Sequence, residues 1–169
     1  GACNNNVICP EGDNWRCEIS SVAIIVVGGS GACTGTVLNN HAQDERPLFL
    51  SANYCVTSVS SCVFRFNWYS PSCTPTAHAP TSQSVSGATL LASSGGSDFS
   101  IMEISSHIPT AYNVYYSGWD ATGDALTNQT GIHHPAGDVK KISFDTDPAV
   151  FATSGGAACW NVQNWEDGT

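Results

Sequence analysis

The stretch that decides the fold is Leu48-Phe49-Leu50-Ser51-Ala52-Asn53-Tyr54-Cys55. Its apolar first half predicts a strand, and its small residues predict a turn that ends at a cysteine. Two further stretches belong with it. Cys33-Thr34-Gly35-Thr36-Val37-Leu38 lies upstream, and Ser97-Asp98-Phe99-Ser100-Ile101 lies downstream. Each of the three is predicted to contain a β-strand.

Composition limits the kind of protein this is. The 169 residues suit one domain or two small lobes and are enough to bury a core. Charged residues make up only 11% of the chain, which argues against disorder. Five Lys and Arg against fourteen Asp and Glu give a formal charge of -9. Because nucleic acids and anionic membranes are bound by basic patches, neither is expected as a partner.

Cysteine usage points to an oxidising, extracellular location. The chain has eight cysteines, and it has no C-x-x-C pair or C-x-x-C-H motif that would indicate zinc or haem. We therefore expect disulfides, no cofactor and no metal. A start at Gly1 without a charged and apolar leader predicts a processed, secreted chain. No apolar run reaches transmembrane length.

Apolar runs between glycine and proline punctuation predict an all-β fold. No amphipathic helix is expected. We assign residues 1–105 to an N-terminal lobe and residues 106–169 to a partial C-terminal lobe. The first lobe has six predicted strands, at 17–27, 32–38, 48–52, 62–69, 88–93 and 99–104. The second has candidates at 112–118, 131–134, 139–144, 149–153 and 160–165.

The three opening stretches resemble the first half of a trypsin-like serine protease. In that family a Cys-x-Gly-[ST] strand is followed by a Thr-Ala-x-His-Cys turn and later by a buried Asp. The second lobe is similar to bacterial lysyl endopeptidases, which are secreted members of this class. The motifs that recur there in the same order are Ser117-Gly118-Trp119-Asp120, Gly131-Ile132-His133-His134-Pro135, Lys140-Lys141-Ile142-Ser143 and Asn161-Val162-Gln163. The resemblance implies a trypsin-like double six-stranded antiparallel β-barrel, with the second barrel incomplete in this chain.

The resemblance also locates the family's catalytic triad, in which a buried Asp orients a His that takes the proton of a Ser. Asp98 matches the Asp, but Tyr54 stands at the His position. A phenol ionises at about pH 10 and cannot accept that proton at neutral pH. The Ser turn, the oxyanion-hole amides and the acidic residue that selects lysine would fall beyond Thr169. We expect Asp98 to be buried near Tyr54 and satisfied by backbone amides, by the Tyr54 hydroxyl or by a bridging water.

Two functions from different classes remain open. The first is a secreted, catalytically inactive serine-protease homologue, a pseudoprotease that acts as a binding, regulatory or assembly module. The alternative is the N-terminal chain of a processed lysyl endopeptidase whose Ser-bearing half is a separate polypeptide. We favour the first, because supplying a serine does not supply a base. No other histidine is expected to replace the base; the five are His41, His78, His107, His133 and His134.

Disulfides and partners complete the expectations. The resemblance pairs Cys33 with Cys55 and Cys9 with Cys73. The first and fourth strands are neighbours in a six-strand lobe, so we predict that Cys17 bonds to Cys62. Cys3 and Cys159 are left to pair with each other or with another chain. An unfinished second barrel predicts a partner, either a C-terminal polypeptide or a neighbouring subunit. Lysine-containing peptides are further candidate ligands, and Asn128 in Asn128-Gln129-Thr130 is a candidate glycosylation site.

Overall fold

The computed structural model describes residues 3–56, 58–77 and 79–168. These residues form one short α-helix and twelve β-strands. The bounds are β1 Asn5–Asn6, α1 Arg16–Ser21, β2 Val22–Val27, β3 Gly31–Leu38, β4 Leu48–Ser51, β5 Val63–Arg65, β6 Ser84–Ser86, β7 Ala88–Ser94, β8 Phe99–Ile104, β9 Gln129–His133, β10 Lys141–Asp145, β11 Val150–Ser154 and β12 Ala157–Asn161.

The larger sheet is antiparallel and has the strand order β6-β5-β2-β3-β4-β8-β7. Its two outermost strands, β6 and β7, are consecutive in the chain and are separated only by Gly87. Gly87 has a φ of 81°, donates its N–H to the carbonyl of Cys62 and accepts from the N–H of Ser105. One bent segment therefore pairs with both β5 and β8, and the sheet curls into the barrel-like lobe that the sequence predicted.

The core of this lobe comes from the inward positions of alternating strands. β4 and β8 each alternate between buried and half-buried residues, as the period of a strand requires. Phe49 and Met102 are cross-strand partners and are fully buried, and the Phe49 ring meets Phe64 edge-on at 4.9 Å between centroids. Gly35 lies against this cluster, since a Cβ there would sit 2.2 Å from the Phe49 ring. Close packing of β3 onto β4 thus requires a glycine at position 35.

The remaining strands form two smaller sheets. One has the order β1-β10-β9, so the N-terminal strand β1 pairs with β10 from the second half of the chain. The other is the β11–β12 hairpin, whose strands pair only with each other among the described residues. The structure as a whole is an all-β, trypsin-like fold.

Three expectations about local structure are wrong. Residues 16–21 form α1 instead of the start of the first strand. The hydroxyls of Ser20 and Ser21 donate to the carbonyls of Cys17 and Glu18, three residues earlier in this short helix. Helical structure is therefore present where none was expected. Residues 112–118 form no strand, and Ser117 makes only an isolated bridge to Leu38.

No helix in the described part of the chain is long and apolar enough to cross a membrane.

Candidate functional site

The candidate site begins at the turn after β4. Asn53–Cys55 forms a short 3₁₀ helix, and Cys55 at its end bonds to Cys33 on β3, with 6.1 Å between their Cα atoms. The disulfide therefore anchors the turn to the neighbouring strand. Tyr54 precedes the anchored cysteine, and its side chain is 72% exposed.

Asp98 is brought to the same place by the turn between β7 and β8. The backbone N–H of Tyr54 donates to Asp98 Oδ1 at 3.2 Å. Sequence reasoning placed these two residues together and gave a backbone amide as one way to satisfy the carboxylate. The prediction that Asp98 is buried is wrong, because Asp98 is exposed. It lies in the turn 95–98, with a φ of 46°, where the backbone runs through solvent.

No imidazole lies on this carboxylate among the described residues. The Tyr54 N–H is the hydrogen-bond donor to Asp98 there, and no described histidine forms a hydrogen bond or ion pair with it. His41 and His107 are exposed, His133 is half-buried and His134 is buried. His78, one of the five histidines considered from sequence, lies outside the described residues. Among the described residues, the Asp98 carboxylate therefore meets a backbone N–H and no imidazole.

His134 has a structural environment that the sequence did not indicate. Its backbone N–H donates to Thr34 Oγ1 at 2.9 Å, and its Nδ1 lies 3.0 Å from the carbonyl oxygen of Asp138. The ring stacks on Trp68 at 5.7 Å between centroids, and its Nε2 is buried without a partner. Burial, with a smaller effect of the nearby Lys140 charge, lowers the pKa of His134 to about 3. The ring is therefore neutral at physiological pH, and the backbone N–H of His134 joins the end of β9 to Thr34 on β3.

Two buried lysines lie in the same region. Lys140 is completely buried, donates from Nζ to the carbonyl of Ile19 at 2.6 Å, and lies 6.0 Å from the centroid of the Tyr69 ring. Burial lowers the pKa of Lys140 to about 7. Lys141 is also buried and donates to Asn6 Oδ1 at 2.5 Å. Both lysines therefore hold the second half of the chain to its N-terminal segment, and their amines contact protein groups instead of solvent.

The cysteines divide into two groups. Cys9 bonds to Cys73 and Cys33 bonds to Cys55, which are the two bonds that the family resemblance implied. The predicted Cys17–Cys62 bond is wrong, because both are free thiols. The prediction placed Cys17 at the start of the first strand, but Cys17 lies on α1 and is exposed, whereas Cys62 is buried. Cys3 is exposed and Cys159 half-buried, and they are also free in the described structure.

Two other features bear on ligands. The buried Asp145 and the exposed Asp147 and Glu166 each offer a carboxylate oxygen, and these oxygens all lie within 4.8 Å of one another. Asp145 Oδ1 already accepts from the Asp147 N–H, and Glu166 Oε2 accepts from the N–H and hydroxyl of Thr146. Sequence analysis missed this cluster, since its members are 21 residues apart at the extremes. Asn128 is exposed directly before β9, and its glycosylation stays a prediction.

The curled sheet, the Cys33–Cys55 bond and the adjacent Asp98 together define the scaffold of a trypsin-like serine protease. Comparison with known families makes this more specific. The chain belongs to the lysyl endopeptidase family, because residues 1–169 match the family model described as the lysyl endopeptidase C-terminal domain. It is 30% identical over 181 aligned positions to the lysyl endopeptidase of Pseudomonas aeruginosa. That alignment covers 98% of this chain and 38% of the relative, so the chain spans well under half of the relative's length.

Proposed function

We propose that this chain is a catalytically inactive member of the lysyl endopeptidase family that binds other polypeptides without cutting them. The observation that carries the proposal is the Tyr54–Asp98 contact. At the position of the triad base, a backbone N–H, and not an imidazole, meets the carboxylate. The family supplies the scaffold, and the site decides the chemistry.

The chemical consequence is large. Asp98 can accept hydrogen bonds and orient a neighbour, but it cannot take over the proton transfers that an imidazole at position 54 would perform. Losing the base of such a triad typically costs about 10⁶ in turnover. The phenol of Tyr54 points into solvent with most of its surface exposed, so it is not held against the carboxylate. The expected outcome is a folded scaffold without peptidase activity.

The partner we propose is a second polypeptide that completes the second lobe. In the described residues the strands of this lobe are β9 and β10, which form a sheet with β1 from the N-terminal segment, and the separate β11–β12 hairpin. Strand β9 lies at the edge of its sheet, and both hairpin strands have an edge that no described strand pairs with. Open edges recruit strands from other chains. A C-terminal polypeptide or a neighbouring subunit would supply them, and lysine-containing peptides remain further candidates.

A hydrolytic role is the second candidate, and the family comparison favours it. The whole chain matches a lysyl endopeptidase model, and the relative carries the name of an active peptidase class. In this case the chain is one part of a processed lysyl endopeptidase whose other part bears the serine. Tyr54 is the observation against it. Two disulfides and this relative agree with secretion, which we propose for either role.

Hydrolysis of lysyl amides separates the two candidates. The purified protein that contains this chain is incubated with a blocked lysyl anilide, with and without a serine-directed phosphonate. We expect the rate to equal the buffer rate in both samples, and we expect no phosphonate adduct on the protein by intact mass. Turnover that the phosphonate abolishes would overturn the inactive assignment and establish the hydrolytic role.

A further inference from the structure

The β11–β12 hairpin exposes an apolar face. The register pairs Phe151 with Trp160 and Thr153 with Ala158, and these four side chains lie on one side of the hairpin. All four are exposed, whereas Ala152 and Cys159 on the opposite side are half-buried. The Phe151 and Trp160 rings meet edge-on with centroids 5.9 Å apart, and the Phe151 residue is 66% exposed. We call these four residues the hairpin face.

A two-stranded hairpin with an exposed apolar face gains stability when another segment packs on that face. A two-stranded hairpin is marginal in water unless a third strand or another layer packs on it. Pairs of exposed aromatic side chains at a sheet surface are typical of interaction sites. Because the outer edges of β11 and β12 pair with no described strand, an incoming segment has both an apolar face and a row of backbone groups to bind.

The charges around the hairpin indicate which segment fits. Residues 106–168 contain seven carboxylates and only two lysines, and both lysines are buried. The exposed surface of this half of the chain therefore carries no Lys or Arg. The carboxylates are Asp120, Asp124, Asp138, Asp145, Asp147, Glu166 and Asp167.

Two exposed carboxylates lie close to the hairpin in sequence. Asp147 precedes β11 and Glu166 follows β12, and their oxygens lie within 4.8 Å of each other and of the buried Asp145. Asp147 is four residues before Phe151, so the backbone between them spans at most about 14 Å. A cation and an apolar residue a few positions apart on an extended peptide cover that distance. A second copy of this chain would instead add its own negative charge.

We propose that the hairpin face docks an extended cationic segment of another polypeptide. Its apolar side chains cover Phe151 and Trp160, and its Arg or Lys side chains reach the exposed carboxylates of Asp147 and Glu166. This inference rests on the binding role proposed above and names the chemistry of the partner. It needs no lysine-specific pocket and no cleavage, so hydrolysis assays and binding assays report on the two proposals separately.

The test uses a blocked synthetic peptide in which Arg alternates with Val and Tyr and which contains no Lys. Its affinity for the protein is measured by calorimetry at low and at high salt. We expect saturable binding that weakens with salt, and no binding of the matched peptide with Glu in place of Arg. The double variant Asp147→Asn with Glu166→Gln should bind about tenfold more weakly, and so should Phe151→Ser.

Matched controls keep the test decisive. Asp120→Asn with Asp124→Asn makes the same change in net charge elsewhere in residues 106–168, and Leu91→Ser removes an exposed apolar side chain from β7. Both should bind like the parent chain. The double variant Asp147→Asn with Glu166→Gln removes no apolar side chain, so it tests the proposal even if Phe151→Ser loosens the hairpin. Three results would overturn the proposal: equal binding of the Glu peptide, parent-like affinity of the Asp147→Asn, Glu166→Gln variant, or a homodimer that Phe151→Ser dissociates.

Discussion

The backbone N–H of Tyr54 donates a hydrogen bond of 3.2 Å to Asp98 Oδ1, across the gap between the turn after β4 and the turn before β8. The sequence resemblance assigned these two positions to the base and the Asp of a catalytic triad. The structure brings the Asp98 carboxylate to the backbone of residue 54. The hydrogen bond holds the turn that the Cys33–Cys55 disulfide anchors.

This role predicts a graded effect of substitution at Asp98. Asp98→Ala removes the oxygen that accepts from the Tyr54 N–H. It also places alanine at a φ of 46°, in the left-handed region that Asp and Asn tolerate better. We expect a loss of about 1–2 kcal/mol in the free energy of unfolding. Asp98→Asn keeps an acceptor oxygen and tolerates the left-handed conformation, so it should cost less than half as much. Urea denaturation of both variants measures the difference, and equal costs would contradict it.

Burial of His134 predicts a loss of stability in acid. Its pKa in the folded chain is about 3, against 6.5 for the unperturbed residue. The unfolded chain therefore binds a proton between these values that the folded chain does not. The stability that this group contributes is complete above pH 6.5 and falls as the pH drops toward 3, by up to about 1.4 kcal/mol per pH unit.

The check compares variants at two pH values. His134→Gln should flatten the dependence of the urea midpoint between pH 6.5 and pH 4, while His41→Gln, at an exposed position, should leave it unchanged. A wild-type slope retained in His134→Gln would show that other groups cause the acid sensitivity.

Lys140 predicts a pH dependence in the alkaline range. Its pKa is lowered from 10.5 to about 7, so between these values the unfolded chain holds a proton that the folded chain has released. Stability should therefore rise with pH from about 7 toward 10.5. Lys140→Met keeps the apolar stem without a titrating amine and should remove this rise. The measurement is the difference in unfolding free energy between parent and variant from pH 7 to pH 9.5, which should change with pH; a constant difference would contradict it.

Much of the first lobe was predictable, because its strands leave a two-residue period in the sequence. The apolar positions of β4 and β8, such as Phe49 and Met102, became core positions, and the cysteines marked the strand and the turn that they connect. The proximity of Asp98 to Tyr54 followed from the family pattern. Its exposure did not, because a pattern of residue types does not fix how far a turn extends into solvent.

The buried polar groups of the second lobe could not be predicted. Lys140 and His134 are polar residues that are buried only because their partners arrive from distant parts of the chain. The Ile19 carbonyl, which accepts the hydrogen bond from Lys140 Nζ, is 121 positions away, and Trp68 stacks on His134 from 66 positions upstream. The helix α1 was missed for a local reason, since six residues with two serines show no helical period.

The close approach of β3 to β4 predicts a strong effect at Gly35. A Cβ at this position would lie 2.2 Å from the Phe49 ring and 2.5 Å from the Leu50 carbonyl oxygen, and a backbone atom cannot move away cheaply. We expect Gly35→Ala to cost about 3 kcal/mol or more. Gly118→Ala is the matched control, because nothing lies within 4 Å of its added Cβ. Thermal unfolding of the two variants checks this, and similar midpoints would argue against the tight β3–β4 packing.

The division of the cysteines predicts a pattern of chemical reactivity. Cys17 is an exposed free thiol on α1, whereas Cys62 is a buried free thiol whose pKa is raised by burial. A short pulse of iodoacetamide on the native, unreduced protein should label Cys17 and leave Cys62 unmodified, and denaturation should make both reactive. Peptide mapping should recover Cys9 joined to Cys73 and Cys33 joined to Cys55.

The same division predicts the stability of two variants. Cys17→Ser should leave the free energy of unfolding unchanged, while Cys62→Ser should lower it by about 1–3 kcal/mol, because it places a hydroxyl in an apolar core. A mapped Cys17–Cys62 peptide, or equal labelling of the two thiols in the native chain, would contradict this arrangement.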